Sequence, residues 1–141
     1  MIMIIADTKY PQIFHSPGLE PWILGLLLNV KPRSLLDVGC GYGFWSFIIR
    51  RRISSVSYIV GIEISSEKIQ KAKTIYDVVL ADARYPPFRS KSFNAVLAVE
   101  VLHGLKGGFK NLSKGSEGCR ENCYDSYFSF IKQRSKTYSQ V

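Results

Sequence analysis

The sequence predicts one α/β domain: a doubly wound, mostly parallel sheet with helices on both faces. The chain has 141 residues, 46% of them hydrophobic, which suits a single compact core. Short apolar runs alternate along the chain with segments of helical periodicity, the order typical of a parallel sheet with helical crossovers. These runs show little alternation of polar and apolar residues, as expected of strands that are covered on both faces.

The first helix is predicted at about residues 16–28, "SPGLEPWILGLLL", where Ser16 can cap the helix and Pro17 lies in its first turn. Apolar residues recur there at helical spacing and give the helix one apolar face. Beyond it, strands and helices alternate. Predicted strands cover residues 34–38, 57–63, 77–82 and 93–102, and predicted helices cover residues 44–52 and 65–75, the second capped by Ser65 or Ser66.

Each of the first three predicted strands ends in a carboxylate. Asp37, Glu63 and Asp82 occupy these positions. Open parallel sheets bind their ligands at the carboxyl ends of the strands. We therefore expect the three carboxylates to surround a single crevice.

A glycine array follows the first of these strands and precedes a helix. Gly39, Gly41 and Gly43 form G-x-G-x-G, which permits positive φ and lets a ligand lie against the backbone. The dinucleotide fingerprint G-x-G-x-x-G needs a glycine at position 44, where this chain has Phe44. The array therefore argues against a pyrophosphate and leaves other cofactors open.

The carboxylates narrow the choice of cofactor. Asp37 beside the loop would repel a phosphate but could hold an ammonium, directly or through water. Glu63 can accept hydrogen bonds from both hydroxyls of a ribose, and Asp82 is placed to meet the amine of an adenine. Ammonium, ribose and adenine together describe S-adenosylmethionine. The structural alternatives are a turn cap for Asp37, an exposed strand end for Glu63 and a loop position for Asp82.

Four segments resemble a known family. "LLDVGCGYG", "VGIEIS", "LADARYPPF" and "FNAVLAVEVLHGL" are similar, in order and spacing, to the first four motifs of class I S-adenosylmethionine-dependent methyltransferases of the methyltransferase-11 type. The resemblance covers about residues 31–105 and implies a Rossmann-like fold. It implies these cofactor contacts: Asp37, Gly39 and Gly41 at the methionine portion, Glu63 at the ribose, Ile64 packed on the adenine, and Asp82 with the Ala83 backbone at the adenine edge. Cys40 and Gly43 belong to the same loop, Cys40 as a small packing residue rather than a nucleophile.

The sequence says less about the residues that would bind the methyl acceptor than about those that would bind the cofactor. His103 is the one candidate general base, although a lone histidine after a strand is more often structural. Relatives often carry Asp where Asn94 stands, and Glu-His where this chain has His103 and Gly104. The chain lacks an Asn-Pro-Pro-Tyr segment after the fourth strand, which argues against an amino group on a base or a glutamine side chain as the acceptor. Alignment of the acceptor with an already activated sulfonium supplies most of the acceleration, so a catalytic base is not required.

The chain divides at about residue 105. Residues 1–105 are predicted to form the S-adenosylmethionine-binding core, and residues 106–141 form a polar, poorly patterned segment of unclear structure. The later strands of the family are missing or unrecognisable there, which suggests a natural truncation, a shifted reading frame or a half-domain that a partner completes. The fourth strand, Asn94–Val99, would then have an unpaired apolar edge that favours self-association.

Composition limits the classes of partner, metal site and cellular location that this chain can have. The net charge of +8 allows a nucleic-acid partner, but the dense basic cluster Arg50–Arg52 sits where a helix is predicted to end, and cations suit that end. Cys40, Cys119 and Cys123 show neither disulfide nor zinc spacing, so we expect no metal site and a reducing, cytoplasmic setting. No segment has the length and apolarity of a membrane span or the pattern of a leader.

The sequence favours an S-adenosylmethionine-dependent methyltransferase, or its cofactor-binding half, that acts on a small molecule. Two alternatives stay open. One is a methyltransferase of nucleic acid or protein, which a basic groove beside the crevice would favour. The other is a cofactor-binding or interaction module without turnover.

Overall fold

The computed structural model describes residues 2–6, 19–89 and 91–101, and within residues 2–6 it describes the side chain of Ile4 alone. Five strands and three helices lie in these ranges. They are β1 (Ile2–Ala6), α1 (Leu19–Val30), β2 (Ser34–Val38), α2 (Phe44–Arg52), β3 (Tyr58–Glu63), α3 (Ser66–Ala72), β4 (Asp77–Leu80) and β5 (Ala95–Val99).

The strands form one parallel sheet in the order β1-β5-β2-β3-β4. This confirms the predicted α/β class. Sequence-adjacent strands are separated by helical crossovers from β2 to β3 and from β3 to β4, and the chain then crosses back to place β5 beside β2. The carboxyl ends of β2, β3, β4 and β5 therefore open onto the same edge of the sheet.

Alternate residues of the central strands build two cores, one on each face of the sheet. The first core joins Leu35, Ile59 and Leu97 to α1, α2 and α3, so the three described helices cover the same face. The second core joins Leu36, Ile62 and Val96 to the segment between β4 and β5. That segment contributes Phe88 and Phe93, whose rings meet edge to face with centroids 5.1 Å apart.

β2 and α2 match the predicted ranges in full, whereas β3, α3, β4 and β5 are shorter than the apolar patterns suggested. The helix predicted at about residues 16–28 is α1, which ends two residues later, at Val30. Ser65 caps α3 by accepting a hydrogen bond from the Lys68 N–H at 3.4 Å. The basic cluster Arg50–Arg52 lies in the last turn of α2, where its charge complements the helix dipole, and Arg50 donates to the Ile75 carbonyl at 2.9 Å. Ser16 and Pro17 lie outside the described residues, as does the predicted division at residue 105.

The expectation of an unpaired edge on the fourth strand is wrong. β1 pairs in parallel with the whole of β5, from Ile2 opposite Ala95 to Ala6 opposite Val99. The segment "IMIIA" is a short continuous apolar run, which is typical of a buried strand, but the predicted strands begin only at residue 34. Self-association through β5 therefore has no free edge to use, because β1 occupies it.

Asn94 connects the amino ends of β5 and β2. Its Oδ1 accepts hydrogen bonds at 3.2 Å from the backbone N–H groups of Arg33 and Ser34 and from the Ser34 hydroxyl. Its own N–H donates to Ser34. Asn94 thus lies at the opposite end of the strand from the predicted crevice and acts in strand pairing.

None of the described helices is long and apolar enough to cross a membrane. In the same part of the chain, no three or more His, Cys, Asp or Glu side chains are grouped closely enough to hold a metal ion.

Pairing of β1 predicts a specific stability effect. Ile4 is 2% exposed and belongs to the helix-covered core. Ile4→Ala should lower the free energy of unfolding by about 2 to 4 kcal/mol, because it leaves a cavity. Leu28→Ala removes a side chain of similar size that is 55% exposed on α1, and should change stability by less than about 0.5 kcal/mol. Urea unfolding compares them, and equal losses would contradict the pairing.

Candidate cofactor site

A cleft of about 280 Å³ opens at the carboxyl edge of the sheet. It brings together six of the nine residues that the sequence assigned to the cofactor. Asp37, Cys40 and Gly43 do not line it, and His103 lies outside the described residues. The lining residues are Gly39, Gly41, Ile62, Glu63, Ile64, Lys68, Ala81, Asp82, Ala83, Glu100 and Val101.

The glycine loop, residues 39–43, needs its glycines for two different reasons. Gly39, Gly41 and Gly43 all adopt positive φ, at 64°, 56° and 87°. A Cβ on Gly39 would lie 2.5 Å from the Val101 side chain, so the loop packs tightly against the residues after β5. A Cβ on Gly41 would meet no atom within 4 Å, and it would extend into the open space of the cleft.

Glu63 holds the glycine loop against the end of β3. Its side chain is 7% exposed, and its carboxylate accepts three backbone hydrogen bonds, each of 2.9 Å. Oε2 accepts from the Gly41 N–H, and Oε1 accepts from the N–H groups of Ile64 and Ser65. A carboxylate has about four acceptor positions, so Oε2 keeps one free for a ligand hydroxyl.

Asp82 forms a local ion pair with Arg84. The guanidinium Nε lies 3.0 Å from Oδ1 and 2.9 Å from Oδ2, Nη2 donates to Oδ2, and the Arg84 N–H donates to Oδ1 at 2.8 Å. Hydrogen bonding to Arg84 is the main reason that the pKa of Asp82 lies below its usual value. Arg84 thus donates three N–H groups to the carboxylate, one of them shared between both oxygens.

Asp37 lies behind the glycine loop instead of in the cleft. It is 2% exposed, and its Oδ2 accepts a hydrogen bond of 2.6 Å from the Ser46 hydroxyl of α2. Burial raises the pKa of Asp37 to about 7, and the charge of Glu63 adds to the rise, whereas the hydrogen bond from Ser46 and the nearby Tyr76 hydroxyl oppose it. The structure thus places this carboxylate where it supports the loop from beneath.

Cys40 packs in the same buried region. Its Sγ would lie 2.6 Å from a Cβ on Gly61, so β3 approaches the loop as closely as a glycine allows. Burial raises the pKa of the Cys40 thiol to about 12. The thiolate is therefore scarce at neutral pH, which agrees with a packing role and not with a nucleophile.

Five lining residues were not assigned from the sequence. Glu100 follows the last residue of β5 and has a φ of 55°, a backbone conformation that residues other than glycine rarely adopt. Glu100, like Asp37, Glu63 and Asp82, is a carboxylate at the end of a strand. The sequence did not indicate it because the predicted strand extends past Val99 to residue 102. Lys68 comes from α3, and its Nζ lies 6.0 Å from the centroid of the Tyr42 ring in the glycine loop. No feature of the sequence indicated that Lys68 lines the cleft. Ile62, Ala81 and Val101 carry no such signal either.

Comparison with known proteins gives the class and then the family. A sequence model described as a methyltransferase domain matches residues 36–115. The fatty-acid O-methyltransferase of Mycolicibacterium smegmatis is 29% identical over 97 residues, 65% of this chain and 32% of the relative. The malonyl-[acyl-carrier protein] O-methyltransferase of Legionella pneumophila is 32% identical over 82 residues, 54% of this chain and 28% of the relative. The chain thus spans about a third or less of the length of these curated relatives.

Among solved structures, the PH0226 protein from Pyrococcus horikoshii superposes with a TM-score of 0.59 at 23% identity, over 80% of this chain and 53% of that one. At this identity the likeness shows the fold alone. The parallel sheet, the glycine loop and the acidic end of β3 define a Rossmann-like cofactor-binding domain. Because the sequence model covers more than half of the chain, the chain belongs to the methyltransferase-domain family, which confirms the resemblance to S-adenosylmethionine-dependent methyltransferases.

Crowding at Gly39 predicts a clear contrast with a second glycine. Gly39→Ala should lower the free energy of unfolding by about 2 to 4 kcal/mol, because φ is positive and Val101 leaves no space. Gly25→Ala, inside α1 with nothing within 4 Å, should raise it by about 0.5 to 1 kcal/mol. Urea unfolding of both variants measures the difference. A Gly39→Ala protein as stable as the unchanged chain would show that the loop does not pack on Val101.

Proposed function

We propose that the chain binds S-adenosylmethionine in this cleft and transfers its methyl group to an acyl compound. The observation that carries the proposal is the bond between Glu63 and the Gly41 N–H, which puts an acidic acceptor and an open glycine backbone on one cleft. Family membership makes S-adenosylmethionine the cofactor to test first.

The lining residues fit this cofactor. Glu63 would accept a ribose hydroxyl at its free acceptor position, and Ile64, 67% exposed at the rim, offers an apolar surface for the adenine. Gly39 and Gly41 would let the methionine portion lie against the backbone. At the carboxylate of Asp82 the adenine amine would compete with Arg84, while the Ala83 backbone stays available beside it.

When bound, the cofactor supplies a methyl group on a positively charged sulfur, which is already activated for transfer. The chain then has to hold the cofactor, orient the acceptor and exclude water. Ile62, Ala81 and Val101 form an apolar part of the cleft wall, which suits the exclusion of water. The assignment of His103 as a general base stays a prediction.

The acceptor proposal rests on the names of the curated relatives. One is a fatty-acid O-methyltransferase and the other a malonyl-[acyl-carrier protein] O-methyltransferase, so both are named for O-methylation of acyl compounds. A carboxylate is ionised at neutral pH and attacks without losing a proton. This chemistry fits a site in which the described residues supply cofactor contacts and His103 need not act as a base. It favours an acyl acceptor over nucleic acid or protein, and turnover over a module that only binds.

Glu63 supplies the binding test. Glu63→Gln should weaken the binding of S-adenosylhomocysteine about 10- to 150-fold, since it removes a charged acceptor and places an amide NH2 against at least one of the three N–H groups. Glu67→Gln makes the same chemical change at an exposed position of α3 and should leave affinity unchanged. Isothermal titration calorimetry measures both, with thermal melting as the check on folding. If the unchanged chain fails to bind, the proposed function is wrong.

The acceptor has its own test. Incubated with methyl-labelled S-adenosylmethionine, the chain should label a long-chain fatty acid or an acyl-carrier-bound malonyl group, and should leave amine acceptors unlabelled. Mild alkali should release the label as methanol, because a carboxyl methyl ester is hydrolysed whereas an N-methyl group is stable. His103→Ala should retain this activity, since a carboxylate needs no general base. Alkali-stable label on an amine would contradict the proposal.

A further inference from the structure

We propose that Asp37, Ser46 and Tyr76 act together as positioning residues that hold the glycine loop in its binding conformation, and that this cluster makes cofactor affinity depend on pH near neutrality. The inference rests on the proposed function, because it assumes that the glycine loop contacts S-adenosylmethionine. We call these three residues the loop clasp.

The hydrogen bond between Asp37 and Ser46 ties together the two ends of the loop. Asp37 lies in β2, two residues before Gly39, and Ser46 is the third residue of α2, three residues after Gly43. The bond is 2.6 Å long, and both side chains are at most 2% exposed. A short bond to an ionised carboxylate is among the stronger hydrogen bonds in proteins, and burial protects it from competing water.

Tyr76 supports the loop from below. Its ring carbon Cε1 lies 2.9 Å from the position of a Cβ on Gly43, and its hydroxyl lies 2.9 Å from that of a Cβ on Gly61. The hydroxyl is buried and has no hydrogen-bond partner among the described residues. The hydroxyl nevertheless influences Asp37, since its proximity helps to lower the pKa of that carboxyl. A buried hydroxyl donor close to a carboxylate stabilises the ionised form of that carboxylate.

The charge of Asp37 sets the strength of the clasp. The titratable groups that influence it from the surrounding elements are Glu63 of β3 and Tyr76 before β4. Cys40 in the loop is influenced by Asp37 in turn. Burial raises the pKa of Asp37 to about 7, so a modest change of pH switches the group between its two forms. In the ionised form Ser46 donates to a charged acceptor, and in the protonated form that bond is weaker.

The direction of the pH effect follows from linkage. S-adenosylhomocysteine carries an ammonium group, which is attracted by an ionised Asp37, and the ionised form also holds the loop more firmly. Both effects favour the ionised carboxylate in the complex. Affinity should therefore rise with pH between about 6 and 8, and binding near pH 7 should release a proton from Asp37.

The experiment is calorimetry of S-adenosylhomocysteine with the full chain from pH 6 to 8.5, in two buffers of different ionisation enthalpy. The unchanged chain should bind about 3- to 10-fold more tightly at pH 8 than at pH 6, and should release protons near pH 7. Asp37→Asn should show a flat profile without that proton release. Titration of the ligand's own ammonium group is common to all variants and cancels in their comparison.

Two further variants separate a positioning role from a merely structural one. Ser46→Ala and Tyr76→Phe each remove a group that lowers the pKa of Asp37, so each should move the midpoint of the affinity profile to higher pH. Tyr76→Phe also removes an unpaired buried hydroxyl, and should fold without loss of stability. Ser57→Ala, an exposed serine before β3 that donates only to the Arg33 carbonyl, is the matched control and should reproduce the unchanged profile.

The outcomes are distinguishable. Binding that is tight in the unchanged chain but independent of pH, or equally pH-dependent in Asp37→Asn, overturns the loop clasp and leaves the proposed function standing. Absence of binding at every pH overturns the proposed function and the clasp with it.

Folding stability gives a readout that needs no ligand. Because the pKa of Asp37 is raised by folding, its contribution to stability is present at pH 4 and lost as pH rises toward 7. Asp37→Asn should lack this loss, and an unchanged loss in that variant would also overturn the clasp.

Discussion

The carboxylate of Glu63 is the contact on which the geometry of the cleft depends. It stands at the end of β3 and binds one N–H of the glycine loop and two N–H groups of the turn into α3. Each of these donors precedes or starts a helix, where no helical carbonyl is available to accept from it. One side chain therefore satisfies the backbone of two connections and fixes the distance between them. The cleft is the space that this distance leaves open.

Order along the chain made much of this arrangement predictable. The alternation of apolar runs and helical segments gave the parallel sheet, and the glycine array with Glu63 placed the cleft at the carboxyl edge. The partners of the carboxylates were not predictable, because they depend on residues that are distant or unremarkable in sequence. In the sequence nothing distinguishes Ser46 from other helix residues, and only the fold brings its hydroxyl oxygen to 2.6 Å from Oδ2 of Asp37. Arg84 is two residues from Asp82, yet nothing in the spacing distinguishes an ion pair from two separate solvated charges.

The missed strand shows a different limit. β1 pairs with β5, although 88 residues separate Ala6 from Ala95. Local periodicity carries no information about such a partner, and the apolar run at residues 2–6 is too short to distinguish a buried strand from other apolar segments. Its consequence is nevertheless large, because a strand on this edge turns β5 from an exposed strand into an interior one. The rule that buried parallel strands are apolar on both faces holds for β5 only with this neighbour in place.

Two aspartates near one edge of the sheet have different environments, and these give them different responses to acid. Asp37 is desolvated and has a raised pKa, whereas Asp82 is paired with Arg84 and has a lowered one. The stabilising contribution of Asp82 is present above its unfolded pKa and is lost as pH falls through its folded pKa, which is the reverse of Asp37. Acid therefore weakens the pairing of Asp82 with Arg84, while it removes the buried charge beneath the glycine loop. The contributions of these two aspartates to folding stability therefore change with pH in opposite directions, because burial and pairing act on the same residue type with opposite sign.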